Sequence, residues 1–311
     1  MPKFTKPFAI VNPNSANGST RGQWPQIEAL LKGAIGPFKH AFTKSQGDAT
    51  PLALAAAKDG CDLVISVGGD GTNNEVVNGL LADGAPRPGP ALAFVPRGTG
   101  GDLRKTLGIG NTVEAAVARI AGGSPRKIDA ARMEITSHDG RTVVRHYVNI
   151  ASFGIGGLVD AYVNSSTKAL GGKASFFIGT IKAFAVYRNQ RVRVSFDGGA
   201  PEEMVINNVA VANGRFFGGG MMIAPEAELD DGLLDVVILG DLSLPEVIGN
   251  GPKVYKGGHM PHPKIRFLRV KTVRAEPVNP DDKVLLDVDG EAPGRLPATF
   301  EILPGALTVI A

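Results

Sequence analysis

Val67-Gly68-Gly69-Asp70-Gly71-Thr72-Asn73-Asn74-Glu75 lies between two patterned segments of this chain. Before it, Leu63-Val64-Ile65-Ser66-Val67 is the continuous apolar run of a strand buried on both faces. After it, Glu75-Val76-Val77-Asn78-Gly79-Leu80-Leu81 has the apolar spacing of a helix. Glycines on a strand-to-helix turn let backbone approach a phosphate, and the helix N-terminus adds unpaired N–H groups and positive potential. Asp70 supplies a carboxylate for Mg2+ or a water. No Gly-Lys-Ser/Thr follows, so this is not a Walker A loop, nor is it Gly-x-Gly-x-x-Gly. A tight turn that merely uses glycines is the competing reading. A second turn of the same kind, Pro96-Arg97-Gly98-Thr99-Gly100-Gly101-Asp102, weighs against it. Two glycine-rich turns with carboxylates at successive strand ends suit a polyphosphate with Mg2+.

Outward from these turns, residues 8–120 alternate strand and helix signals. Strands are expected at 8–11, 40–43, 63–67 and 91–95, and helices along 24–31, 50–58, 75–81 and 112–120. This rhythm predicts a doubly wound parallel sheet, with ligands beyond the carboxyl ends of its strands. From Lys127 the pattern becomes short alternating strands, expected at 191–196, 205–212, 233–239, 264–273, 283–288 and 299–303. Helices there are expected only near 174–187 and 243–250. The expected class is therefore α/β: an N-terminal doubly wound nucleotide domain, 1–125, followed by an antiparallel β-sandwich-like acceptor domain, 126–298. Strand 299–311 is free to return to the first domain.

Composition narrows the function classes. The 311 residues suggest two domains, and 33 basic against 30 acidic residues leave a net charge of only +3. That is too mild for a nucleic-acid partner. Cys61 is the only cysteine, and no leader precedes the first strand, so a cytoplasmic location is expected, peripheral to a membrane at most. The apolar stretch 174–187 contains Lys182 and is too short to span a bilayer.

Taken in order, the motifs resemble those of the diacylglycerol-kinase-type lipid kinases, a family that includes bacterial soluble lipid kinases and the sphingosine and ceramide kinases. They are Asn12-Pro13-x-Ser15; Gly68-Gly69-Asp70-Gly71-Thr72 with Asn74-Glu75; Pro96-x-Gly98-Thr99-x-x-Asp102 with Leu107-Gly108-Ile109; Ile128-Asp129; Asn149-x-x-Ser152-Phe153-Gly154; Ala224-Pro225 through Leu229-Asp230-Asp231-Gly232-Leu233-Leu234-Asp235; and Asp289-Gly290-Glu291. The resemblance spans nearly the whole chain. It implies ATP as phosphate donor, Mg2+ as cofactor, and a lipid hydroxyl, met transiently at a membrane surface, as acceptor. By position it implies that Gly69, Asp70, Gly71, Thr72, Asn74 and Glu75, with Asn12, Thr43 and Thr99, hold the nucleotide. Asp70, Asp102 and Asp129 resemble a carboxylate–water–Mg2+ network, and Glu291 a general base. Glu228, Asp231 and the carbonyl of Leu233 resemble a second, structural metal site, although Asp231-Gly232 reads equally as a hairpin turn. Asp289-Gly290 reads equally as a plain turn.

Two positions depart from the family pattern. Gly101 stands where the family usually has Asn, and Ala16 where it usually has Gly. Neither removes a carboxylate. An NAD kinase would share the Gly68–Glu75 element but not those at 96–109 and 228–235. A catalytically weak nucleotide- or lipid-binding regulator is the alternative of another class. The lipid and the oligomeric state, a homodimer included, are left open. Gly214–Gly220 reads as a loop with two semi-exposed aromatics, Phe176, Phe177, Ile181 and Phe184 as a core-packing helix face, and Arg188, Arg191 and Arg193 as a solvated face. His259 and His262 read as loop or packing residues without metal-ligand spacing.

Overall fold

The computed structural model describes residues 4–98, 100–165, 183 and 186–311. Thr99 and nearly all of the helix expected at 174–187 lie outside the described residues. The chain divides into two compact units, Met1–Asp129 with Gly305–Ala311, and Ala130–Pro304.

The first unit is the expected βα alternation. It runs β1 (Pro7–Val11), α1 (Ser19–Ile35), β2 (Lys39–Phe42), α2 (Ala49–Lys58), β3 (Leu63–Gly68), α3 (Asp70–Leu80), β4 (Ala91–Pro96), α4 (Asp102–Thr106) and α5 (Val113–Gly122). The strands are parallel in the order β2-β1-β3-β4. Every residue of β3 is buried, which is why its sequence runs apolar rather than alternating. Strand order reverses between β1 and β3, and that switch point places the loops after both strands at one crevice. Two local features fix the helices. The Thr112 hydroxyl caps α5 by accepting the Ala115 N–H at 3.1 Å. Gly79 lets α3 lie against α2, since a Cβ there would sit 2.2 Å from the Thr50 carbonyl oxygen.

The second unit is a sandwich of antiparallel sheets. Its chain runs through β5 (Pro125–Ser137, from Ala130 onward), β6 (Thr142–Tyr147), β7 (Ile150–Gly154), α6 (Ile155–Ser165), β8 (Gln190–Phe196), β9 (Glu202–Ile206) and β10 (Asn208–Ala212). There follow a short hairpin β11 (Phe216–Phe217) with β12 (Met221–Met222), then β13 (Leu234–Leu239), α7 (Leu244–Val254), β14 (Ile265–Val270), β15 (Thr272–Pro277), β16 (Leu286–Val288) and β17 (Gly294–Ile310). One sheet has the order β17-β15-β8-β9, with β5 joining β17 to β6; the other has the order β14-β13-β10-β7-β16. The core between them includes Tyr147, Phe153, Val209, Val236, Val273 and Phe300. Phe153 and Phe300 stack with ring centroids 6.2 Å apart. The last residues of β17 belong to the first unit, where Thr308 and Val309 pair in parallel with β4.

Three sequence expectations are revised. The run 205–212 is two strands broken at Asn207, because β9 pairs with β8 in one sheet and β10 with β7 and β13 in the other. The run 264–273 is likewise broken at Lys271 between β14 and β15. Gly214–Gly220 carries half of the β11–β12 hairpin rather than an open loop, and Phe217 packs on the core.

Candidate active site

In the first unit the two glycine turns lie side by side. β3 and β4 pair through Gly68 and Pro96, and the Arg97 N–H donates to the Gly68 carbonyl at 2.7 Å. Beyond that bond the backbones touch directly. A Cβ on Gly98 would stand 2.7 Å from the Gly69 Cα, so only glycine permits this approach. Gly68 is constrained in the same way, because its Cβ would overlap the Thr72 side chain at 2.5 Å. Helix α3 begins at Asp70, so its first-turn N–H groups have no partner within the helix.

The loop after β1 is tied to both turns. Asn12 Nδ2 donates to Thr72 Oγ1 at 3.0 Å, and Asn12 Oδ1 accepts the Asn14 N–H at 3.0 Å. Ser15 Oγ donates to the Asn12 carbonyl at 2.8 Å. Arg97 then reaches across, with Nε 3.1 Å from Thr20 Oγ1 and Nη2 2.9 Å from Ser19 Oγ. A planar guanidinium fork thus fixes the first loop against the second. Thr43, buried at the end of β2, holds its strand by donating its N–H to the Val11 carbonyl at 2.9 Å.

The carboxylates divide by role. Asp70 Oδ2 accepts the Gly101 N–H at 2.8 Å, whereas Oδ1 is buried with no hydrogen-bond partner. Burial pushes the Asp70 carboxyl above the ordinary aspartate range and the Asp102 charge adds to this, opposed by backbone N–H groups and by Lys105. Asp102 is buried, and its Oδ1 takes the Lys105 ammonium at 2.7 Å. Asp129 is buried and accepts the Gly305 N–H at 2.7 Å. A buried carboxylate oxygen without a donor, beside a second carboxylate, is a place where a cation lowers the energy. The Asp70–Asp102 pair therefore fits Mg2+.

Glu75, expected among the nucleotide contacts, spends its carboxylate elsewhere. Oε1 and Oε2 accept the N–H groups of Gly47 at 2.8 Å and Ala49 at 3.0 Å, closing the N-terminus of α2. Its part is to hold the loop that follows Thr43. Asn74 Oδ1 accepts from Asn78 Nδ2 at 2.9 Å within α3.

In the second unit, Val288 and Glu291 exchange backbone hydrogen bonds at 2.8 and 3.0 Å around Asp289 (φ 49°) and Gly290 (φ 86°). Two central residues with positive φ make this a type I′ hairpin turn, for which Asp-Gly is a favoured pair. Asp289 Oδ1 accepts the Ile150 N–H at 3.0 Å, so its side chain anchors the turn to β7. Glu291, half-buried, leaves the turn. Asp287, which the sequence reading passed over, is buried, with Oδ1 on the Gly290 N–H at 3.0 Å and Oδ2 3.4 Å from Ser152 Oγ. Of the residues implied for a second metal, Glu228 is exposed, and Asp231 Oδ1 accepts the Leu233 N–H at 3.0 Å around Gly232 (φ 74°).

Arg97 and Lys105 were missed from sequence. Arg97 acts across a sequence separation of 77 residues and left no local signal. Lys105 did leave one, since Asp-x-x-Lys puts opposite charges on one helix face.

A nucleotide-type crevice on a parallel sheet, with two glycine turns and a buried carboxylate that has one unpartnered oxygen, defines a phosphotransferase fold and site. Family models agree over most of the chain. Residues 6–133 match the diacylglycerol kinase catalytic domain, and residues 149–311 match the YegS C-terminal NAD kinase beta sandwich-like domain. The chain belongs to the diacylglycerol-kinase-type lipid kinase family, whose reaction is phosphoryl transfer to a lipid hydroxyl. It is 29% identical over 304 residues to a diacylglycerol kinase of Staphylococcus aureus (strain MRSA252), covering 97% of this chain and 91% of that one. A crystal structure of a diacylglycerol kinase from Bacillus anthracis str. Sterne covers 100% of this chain and 98% of its own, with a TM-score of 0.72 and 25% identity. A yeast NADH kinase complexed with NADH covers 99% and 83%, with a TM-score of 0.50 at 12% identity, and shares the fold alone. Among the described residues no helix is long and apolar enough to cross a membrane.

Proposed function

We propose that this protein transfers the γ-phosphate of ATP to the hydroxyl of a diacylglycerol-like lipid, in phospholipid metabolism at a membrane surface. The observation that carries the reading is the backbone-to-backbone contact of Gly69 and Gly98 beside the unpartnered Asp70 oxygen. The contact leaves room for phosphate against N–H groups, and the oxygen calls for a cation.

Phosphoryl transfer through a loose transition state asks a protein mainly to position groups and neutralise charge. Gly69, Asp70, Gly71 and Thr72 would present backbone N–H groups to the phosphates, with Asn12 setting the Thr72 hydroxyl. Thr43 and Thr99 are proposed as further nucleotide contacts. Asp70 would hold Mg2+, with Asp102 and Asp129 acting through water. When bound, Mg2+ supplies charge neutralisation on the phosphate oxygens. Glu291 is proposed to take the proton of the lipid hydroxyl. It leaves a turn that Asp289 and Asp287 hold rigid, as a positioned base requires.

Radiolabelled ATP with mixed micelles of diacylglycerol, monoacylglycerol, phosphatidylglycerol or a sphingoid base, and a parallel arm with NAD, tests the proposal. Label in a phosphorylated lipid is expected. Label in NADP alone would replace the reading with an NAD kinase, and no turnover in any arm would replace it with a regulator.

A further inference from the structure

The turn before β13 has a charge arrangement that the family pattern does not anticipate. Asp231, implied as a metal ligand, has Oδ2 2.6 Å from Arg269 Nη2. Asp235 stands directly opposite Arg269 in the antiparallel register of β13 and β14. Asp235 is fully buried, and among the described residues its one charged contact is an ion pair with Arg269, whose Nε lies 3.3 Å from Oδ1 without the alignment of a hydrogen bond. One guanidinium therefore faces two carboxylates. The other implied ligand, Glu228, is exposed.

The donor set does not suit a divalent ion. Mg2+ and Ca2+ bind through carboxylate and carbonyl oxygens with water completing the shell, but here both Asp231 oxygens already accept N–H donors, Oδ1 from the Leu233 backbone and Oδ2 from the Arg269 guanidinium. An ion at this point would also meet a permanent positive charge at hydrogen-bond distance from the same carboxylate. Without a cation, in turn, the buried Asp235 charge would be uncompensated, which proteins rarely tolerate.

We propose that Arg269 is the built-in cation of this turn: its guanidinium takes the place of the second metal ion and bridges Asp231 to Asp235. The turn then keeps its form with no divalent ion at all. The inference concerns the charge balance of the second unit and is independent of the identity of the lipid.

Metal content and melting temperature of the nucleotide-free, full-length protein test this. Asp70→Asn serves as host, so that an ion at the phosphate site does not confuse the reading. The host is expected to retain less than 0.1 divalent ion per chain after gel filtration, and its melt should not move between EDTA and 5 mM Mg2+ or Ca2+. Arg269→Met in the same host should melt lower in EDTA and recover part of the loss with the divalent ion. If Arg269→Met does not fold, Arg269→Met with Asp235→Asn, which removes both charges, should fold and melt independently of metal. One ion per chain in the host, lost on Asp231→Asn, would overturn the proposal. So would a host melt that falls in EDTA.

Discussion

The backbone N–H of Gly101 donates to Oδ2 of Asp70 at 2.8 Å, joining the second glycine turn to the carboxylate of the first. On the Gly101 side the bond uses only the backbone N–H, so it survives the replacement of the family's usual Asn by Gly101. That replacement has a local reason. Gly101 has φ +62°, which glycine adopts without strain, and a Cβ there would press on the Arg104 side chain at 3.0 Å.

Asp70→Asn is expected to abolish phosphoryl transfer and to leave the melting temperature unchanged or slightly raised. The variant keeps an acceptor for the Gly101 N–H and removes a carboxyl whose charge is disfavoured by burial. Turnover and melting measured on one preparation check this. Activity near that of the wild type would place the metal elsewhere.

Gly98→Ala should raise the apparent KM for ATP and cost about 1–3 kcal/mol of stability, the usual range for forcing atoms into a packed contact. The new methyl would meet the Gly69 Cα at 2.7 Å and prise the turns apart. Gly22→Ala is the control: it lies within α1 with nothing within 4 Å of its Cβ, so it should stabilise by about 0.5–1 kcal/mol. Calorimetric ATP binding unchanged in Gly98→Ala would remove the reading of these turns as a phosphate site.

How much of this was legible in the sequence depended on where the cause lay. β3 and the turn after it could be read directly, because burial on both faces and glycine contact both act on neighbouring residues. The break at Asn207 could not. It arises because the chain leaves one sheet for the other, and there the Asn207 N–H turns to the carbonyls of Leu239 and Gly240 at 2.8 and 3.0 Å. Apolar alternation continues through such a crossing. Lys271 marks the second crossing, its N–H bonded to Asp197 Oδ1 at 2.8 Å. Arg269 was passed over for the same reason, since its partner Asp235 is opposite only after β13 and β14 pair.

Arg97→Ala should weaken ATP binding up to about 30-fold, because two hydrogen bonds worth about 1 kcal/mol each hold the start of α1, where the first loop ends, to the second loop. Arg97→Lys should recover only part of this, since an ammonium cannot match two hydroxyls as a planar fork does. Lipid KM at saturating ATP should stay near the wild-type value. A steady-state matrix over both substrates separates these effects, and equal loss for both would show a general folding defect.

Glu291→Gln tests the assignment of the base. A positioned base contributes about 10²–10⁴-fold, toward the lower end in loose phosphoryl transfer. The substitution keeps size and polarity but cannot take a proton near neutral pH. It should lower kcat at least about tenfold by that range, with ATP affinity unchanged. Asp289→Asn is the comparison, because the same turn carries both carboxylates. Asp289 has φ 49° and accepts the Ile150 N–H, and Asn tolerates that conformation and offers the same acceptor. Asp289→Asn should therefore keep most of the activity and most of the melting temperature. A dead Asp289→Asn beside an active Glu291→Gln would move the base to Asp289. Full activity in both would leave the turn a structural device that sets β16, and would return the search for the base to Asp70, Asp102 and Asp129.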